Sequence, residues 1–235
     1  MNALRHSLAI AASLIAFAGP ALAREECQAM DAGFDEDSGR IATVTAAKTY
    51  FHDEKGHKLK AFVIKGDILL AEEAADGFVC ATFISGKGKV TSGYLAGDAV
   101  EISEPEAPEP AGWAGDWTTG EWQNLTVKRG GKPGWLQVEG EAYWAASAEA
   151  ARNGGVNIGN VSSEGPVQDG VLGFTQTVDG SYKPFSEEAR DNFDCAIQLK
   201  MIGTNYLAVE DSGNCGGHNV SFSGIYARGK VSFDP

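Results

Sequence analysis

Histidine, cysteine and basic side chains are all scarce in this chain, and each scarcity removes a class of chemistry. Four of the 235 residues are His, and His6 lies in a segment that reads as a leader, leaving His52, His57 and His218. Acyl transfer needs a His between a Ser nucleophile and an orienting acid. Asp211, Ser221 and Ser223 lie near His218 in sequence, but no Gly-x-Ser-x-Gly elbow accompanies them. A phosphate-binding Gly-x-x-x-x-Gly-Lys-Ser loop and a zinc-binding His-Glu-x-x-His are missing as well. His52 and His57 flank an Asp-Glu-Lys-Gly turn with no third ligand, so they read as a surface turn and not as a metal clip. We therefore read the chain as non-enzymatic, with no cofactor and no metal.

Positive charge is the next shortage. Lys and Arg number 19 against 32 Asp and Glu, a formal charge of −13 that becomes −14 if Arg5 leaves with the leader. Such a surface repels nucleic acid and anionic lipid and attracts basic proteins or cations. Long apolar runs are absent too. Leu8 to Gly19 is uncharged and mostly apolar but spans 12 residues, where a bilayer crossing needs roughly 20. Arg5 precedes it, Pro20 breaks it, and Ala21-Leu22-Ala23 gives the small-x-small pattern of signal peptidase sites. Residues 1–23 thus read as a signal peptide cut between Ala23 and Arg24. With Arg24 and not Cys at the start, no lipid anchor follows, and the product is periplasmic or secreted and not membrane-embedded.

The four cysteines, Cys27, Cys80, Cys195 and Cys215, are an even set that fits disulfides in an oxidising compartment. Three pairings are open in principle. A break between the second and third cysteines favours Cys27–Cys80 and Cys195–Cys215. That break is residues 104–112, where three prolines alternate with acidic residues, a composition suited to an extended, semi-rigid spacer. It divides the chain into residues 24–103 and 113–228, with 229–235 as a tail.

Thirty glycines and the lack of long helical periodicity point to all-β structure on both sides. In the first half, strands are predicted at Ile41–Ala46, Lys48–His52, Ala61–Ile64, Asp67–Glu73, Phe78–Ile84, Lys89–Leu95 and Ala99–Ile102. In the second they are predicted at Asp116–Thr118, Glu121–Lys128, Gly134–Tyr143, Val156–Ser163, Val171–Val178, Cys195–Ile202, Asn205–Glu210 and His218–Ala227. Eight strands in so short a stretch suit a closed antiparallel barrel of lipocalin or avidin size. Short helical turns are predicted at Ser147–Arg152 and at Ser186–Asn192, the latter with Ser186 as N-cap.

Several phrases resemble known families. Lys48-Thr-Tyr-Phe-His-Asp, Ala61-Phe-Val-Ile-Lys-Gly-Asp, Asp76-Gly-Phe-Val-Cys-Ala-Thr-Phe and Val90-Thr-Ser-Gly-Tyr-Leu occur in the order seen in bacterial SH3-like domains. Phe78 and Tyr94 stand where that family usually has Trp. The resemblance implies an SH3-like small barrel, some of whose relatives bind peptidoglycan or peptides, with Phe78 and Tyr94 as candidate ligand contacts. Gly115-Asp-Trp117 is similar to the Gly-x-Trp of lipocalin- and avidin-like barrels, where the Trp closes one barrel end. The run from Cys195 through Asp211-Ser-Gly-Asn-Cys-Gly-Gly-His-Asn-Val-Ser-Phe-Ser-Gly-Ile-Tyr226 resembles small exported proteobacterial β-proteins, some described as lysozyme-inhibitor-like. It implies a partner that is a basic protein such as lysozyme.

Further candidates come from residue chemistry. Cys215-Gly216-Gly217-His218 offers backbone amides that could form an anion nest. All five Trp fall between Trp113 and Trp144. Trp117 and Trp144 read as barrel plugs or lining. Trp122 and Trp135 are candidate contacts for sugar or protein, since Trp135, Gln137 and Glu139 share a face opposite Leu136 and Val138. A third function, a small-molecule carrier using the barrel interior, stays open on sequence alone. Expressed with its leader in a secreting bacterium, the chain should mature to 212 residues (235 less 23) beginning at Arg24. Intact mass and N-terminal sequencing check this.

Overall fold

A computed structural model describes Cys27, residues 40–73, 76–104, 108–120, 122–178, 181–229 and Val231; the leader, with Ala23 and Arg24, lies outside the described residues. Seven strands come first: β1 (Arg40–Val44), β2 (Lys48–His52), β3 (Lys58–Ile64), β4 (Ile68–Glu73), β5 (Phe78–Ile84), β6 (Val90–Ala96) and β7 (Val100–Ser103). They form one antiparallel sheet in the order β3-β2-β6-β5-β4-β1-β7. Alternation puts Val44, Phe51, Val63, Leu69, Val79, Leu95 and Val100 on one face, in a single buried cluster drawn from all seven strands. A flat sheet cannot cover its own face, so the sheet curls until these side chains meet. The Cys27–Cys80 disulfide lies on the opposite face, because Cys80 alternates with the inward Val79 and Ala81.

Eight strands follow: β8 (Gly115–Gly120), β9 (Gln123–Arg129), β10 (Trp135–Trp144), β11 (Asn157–Gln168), β12 (Val171–Thr175), β13 (Ala196–Ile202), β14 (Tyr206–Asp211) and β15 (Gly224–Arg228). Each pairs antiparallel with its chain neighbour, and β15 pairs with β8, so the barrel closes. Closure leaves no free sheet edge. The interior is filled by side chains including Trp117, Leu136, Phe174, Leu199, Phe222 and Tyr226, each at most 1 % exposed. A short helix α1 (Ala148–Arg152) begins where Ser147 Oγ accepts the Ala150 N–H at 3.0 Å.

Three local expectations need correction. The last strand is shorter than predicted: 218–223 is irregular, because Asp211 draws Ser221 and Ser223 out of ladder pairing (2.8 and 2.6 Å to Oδ1). Ser186 precedes a 3₁₀ turn, Glu187–Ala189, but its side chain caps nothing. The end of the Pro-rich spacer is not extended, since Pro110–Trp113 coils into a 3₁₀ turn. Proline suits the first position of such a turn, where no N–H is needed. Residues 105–107 of the spacer lie outside the described residues.

That turn ties the spacer to the barrel mouth. Trp113 and Trp117 are fully buried, Trp117 Nε1 donates to Trp113 O at 3.0 Å, and Trp113 Nε1 donates to Pro108 O at 3.2 Å. Arg228, at the end of β15, stacks its guanidinium 4.2 Å from the Trp117 ring centre. It donates to the carbonyls of Ala114 (3.1 Å), Gly112 and Thr204 (2.6 Å). One cation thereby satisfies backbone acceptors that the turn leaves unpaired.

Sheet and barrel meet along an apolar seam of Leu70 and Ile84 from the first, and Ile202, Tyr206, Ala208 and Ala227 from the second. Backbones also touch there: a Cβ on Gly88 would sit 2.0 Å from the Gly120 nitrogen, so only glycine fits. Tyr206 Oη donates across the seam to Ile68 O at 2.5 Å. Burial pushes this phenol up to about 12 from 10.0; the Ile84 backbone hydrogen bond opposes the rise and the Asp67 charge adds to it. A raised folded-state pKa gives stability that is complete below pH 10 and is lost as pH climbs through about 12, a contribution of order 2–3 kcal/mol at most. Tyr206→Phe should flatten the fall in denaturant stability across that window relative to wild type. An unchanged slope would mean the hydroxyl does not stay buried.

Candidate functional site

The residues singled out from sequence fall at separate places. Tyr94 pairs with Cys80 and His52 in the sheet and is 4 % exposed, so it is covered and cannot serve as an open ligand platform. Phe78 is half-buried, with the His52 ring edge-on at 6.2 Å. His57 is turned to Asp53, whose carboxylate takes its ring nitrogen at 2.9 Å and the backbone N–H groups of Lys55 and His57. His218 is exposed, and its carbonyl accepts the Asn157 side chain at 2.7 Å. The Ser–Asp bonds near it are structural: Asp211 is 5 % exposed and clamps both serines.

The glycine loop is likewise a packing device. Gly217 N–H donates to Ile158 O at 3.1 Å, so this amide of the expected nest is already used. A Cβ on Gly216 would lie 2.6 Å from Gly159 Cα, which explains the small residue beside Cys215. The second disulfide, Cys195–Cys215, pins this loop to the start of β13. Trp144 packs half-buried against the barrel core, while Trp122 is 38 % exposed and Trp135 half-buried at a barrel rim.

The outer face of β9, β10 and β11 carries what sequence reading missed. Barrel register sets Glu141 between Asn124 and Asn160, and Glu139 between Thr126 and Ser162. Their inward neighbours Leu125, Val138 and Val161 are core, so alternation sends these polar side chains out. Together with Tyr143 they line an open groove of about 560 Å³. Lys128 pairs with Glu139 at 2.6 Å on the exposed face, and Gln137 Nε2 donates to the other Glu139 oxygen at 3.0 Å. Tyr143 Oη donates to Glu141 at 2.9 Å. Asn124 exchanges hydrogen bonds with the backbone of Val231, which brings the tail to the groove margin.

This arrangement offers carboxylate and amide acceptors in rows. It can take up ammonium or guanidinium groups, each carboxylate accepting charge-assisted hydrogen bonds. The only signal in sequence was the Gln137, Glu139, Glu141, Tyr143 alternation, which by itself reads as an ordinary solvated strand face.

Burial raises the Tyr143 pKa, and the hydrogen bond and charge of Glu141 raise it further. Glu141→Gln should therefore lower the Tyr143 pKa toward that of a free phenol, as followed by spectroscopic titration of the phenolate; no change would mean the pair is not formed in solution. Comparison with protein-family models, curated proteins and solved structures finds no match to this chain.

Proposed function

We propose that this chain is an exported, non-enzymatic binding protein of the bacterial envelope that captures a basic protein of the lysozyme kind on the outer face of its barrel. The observation that carries this reading is the double row of Glu139 and Glu141 with flanking amides in an open groove. The strongly acidic chain adds a long-range field that speeds encounter with a cationic partner. Export is supported by the leader pattern and by two disulfides, which suit an oxidising compartment. No helix among the described residues is long and apolar enough to cross a membrane. The packed interior speaks against the carrier reading, and the covered Tyr94 weakens a peptidoglycan groove on the SH3-like half.

The test mixes the purified mature chain with lysozyme and measures both muralytic activity and affinity. Binding should weaken about tenfold or more in the Glu139→Gln/Glu141→Gln double variant and fall as salt rises. No inhibition and no binding at micromolar excess would remove the reading.

A further inference from the structure

The β9–β10 hairpin inverts the character of the chain. Lys128-Arg129-Gly130-Gly131-Lys132-Pro133-Gly134-Trp135 puts three cations in eight residues of a protein with 19 Lys and Arg against 32 acids. Lys128 is engaged by Glu139, but neither Arg129 nor Lys132 has an ion pair among the described residues. Both are exposed, and both line a groove of about 360 Å³ with Pro110, Ala111, Pro133 and Trp135.

The indole of Trp135 is placed, not merely present. Gly130 lets the Trp135 backbone and Cβ approach closely, since a Cβ there would lie 2.9 Å from Trp135 Cβ. Gly130 N–H donates to Trp135 O at 2.8 Å, fixing the hairpin base. Tyr182 packs against the ring at 5.1 Å and 64°, holding it in place. The Lys132 ammonium lies 4.0 Å from the ring centre. That cover is one flexible, solvated side chain, held by a cation–π contact that is weak at an exposed site. One acid is near: Glu164 accepts the Gly131 N–H at 3.0 Å, and so stabilises the tip while giving it a negative neighbour.

We propose that this groove binds a carboxylate-bearing saccharide. The C–H face of a sugar ring stacks on Trp135 as Lys132 swings aside, and Lys132 and Arg129 then take the ligand carboxylate. A single indole in an open groove, with Arg129 and Lys132 as its only polar side chains, suits a carboxylate-bearing pyranose better than a wholly apolar ligand, which needs enclosing walls. The site shares no lining residue with the Glu139–Glu141 groove. It therefore stands or falls independently of the basic-protein reading.

N-acetylmuramic acid and N-acetylglucosamine share the ring and acetamide and differ in the lactyl carboxylate, which makes them a matched pair. Titrated into the mature chain under ligand-observed NMR, N-acetylmuramic acid should bind at least about fivefold more tightly. Arg129→Gln/Lys132→Gln, a change of two exposed side chains, should bring its affinity down to that of N-acetylglucosamine, and Trp135→Ala should abolish binding of both. Glu139→Gln/Glu141→Gln should leave sugar binding unchanged. Equal binding of the two sugars, no binding of either, a double variant that retains the preference, or lactate binding as tightly as N-acetylmuramic acid would each overturn the proposal.

Discussion

The stack of Arg228 on Trp117 is the contact on which the rest of the barrel depends. The two residues also face each other in the β15–β8 pairing that turns eight strands into a ring. The same guanidinium holds the carbonyls of the 3₁₀ turn, so strand closure, the mouth plug and the spacer are secured by one side chain. A lysine would supply the charge without the planar fork that reaches several acceptors while lying flat on an indole. The Gly-x-Trp phrase announced the Trp. Its cationic partner, 111 positions later in sequence, carried no recognisable signal until the strands were paired.

Strand positions were legible because inside and outside alternate in a filled barrel, and each outward residue is free to be polar. The seam between sheet and barrel breaks that rule in a readable way. Ile68-Leu69-Leu70-Ala71 and Tyr206-Leu207-Ala208-Val209 are continuous apolar runs, the pattern of strands covered on both faces. In β4, Leu69 enters the sheet's own core while Leu70 enters the seam. Such runs tell of a second covering surface without telling which one, so the partnership of the two halves could not be read in advance. The acidic groove was hidden for a different reason. It arises from side-by-side register of three strands, and register is not a local property of any one of them.

Opposite charge characters occupy adjoining parts of the same two strands. Glu139 and Glu141 sit along β10, while Arg129 and Lys132 crown the hairpin that leads into it, and the Lys128–Glu139 pair marks the border. Exposed pairs of this sort contribute little to stability. Here its effect is to separate two surfaces of opposite sign, so that neither neutralises the other.

The pairing of β8 with β15 also has a consequence in time. Trp117 meets Arg228 only when β15, 111 positions further on, is available, so the ring cannot complete itself from its first strands alone. Contacts of such sequence separation form slowly, because the loop entropy is lost before they return any energy. A barrel emerging from a ribosome thus stays unclosed until β15 is free. Built this way, the barrel postpones its own completion, and it resists folding too early by topology alone.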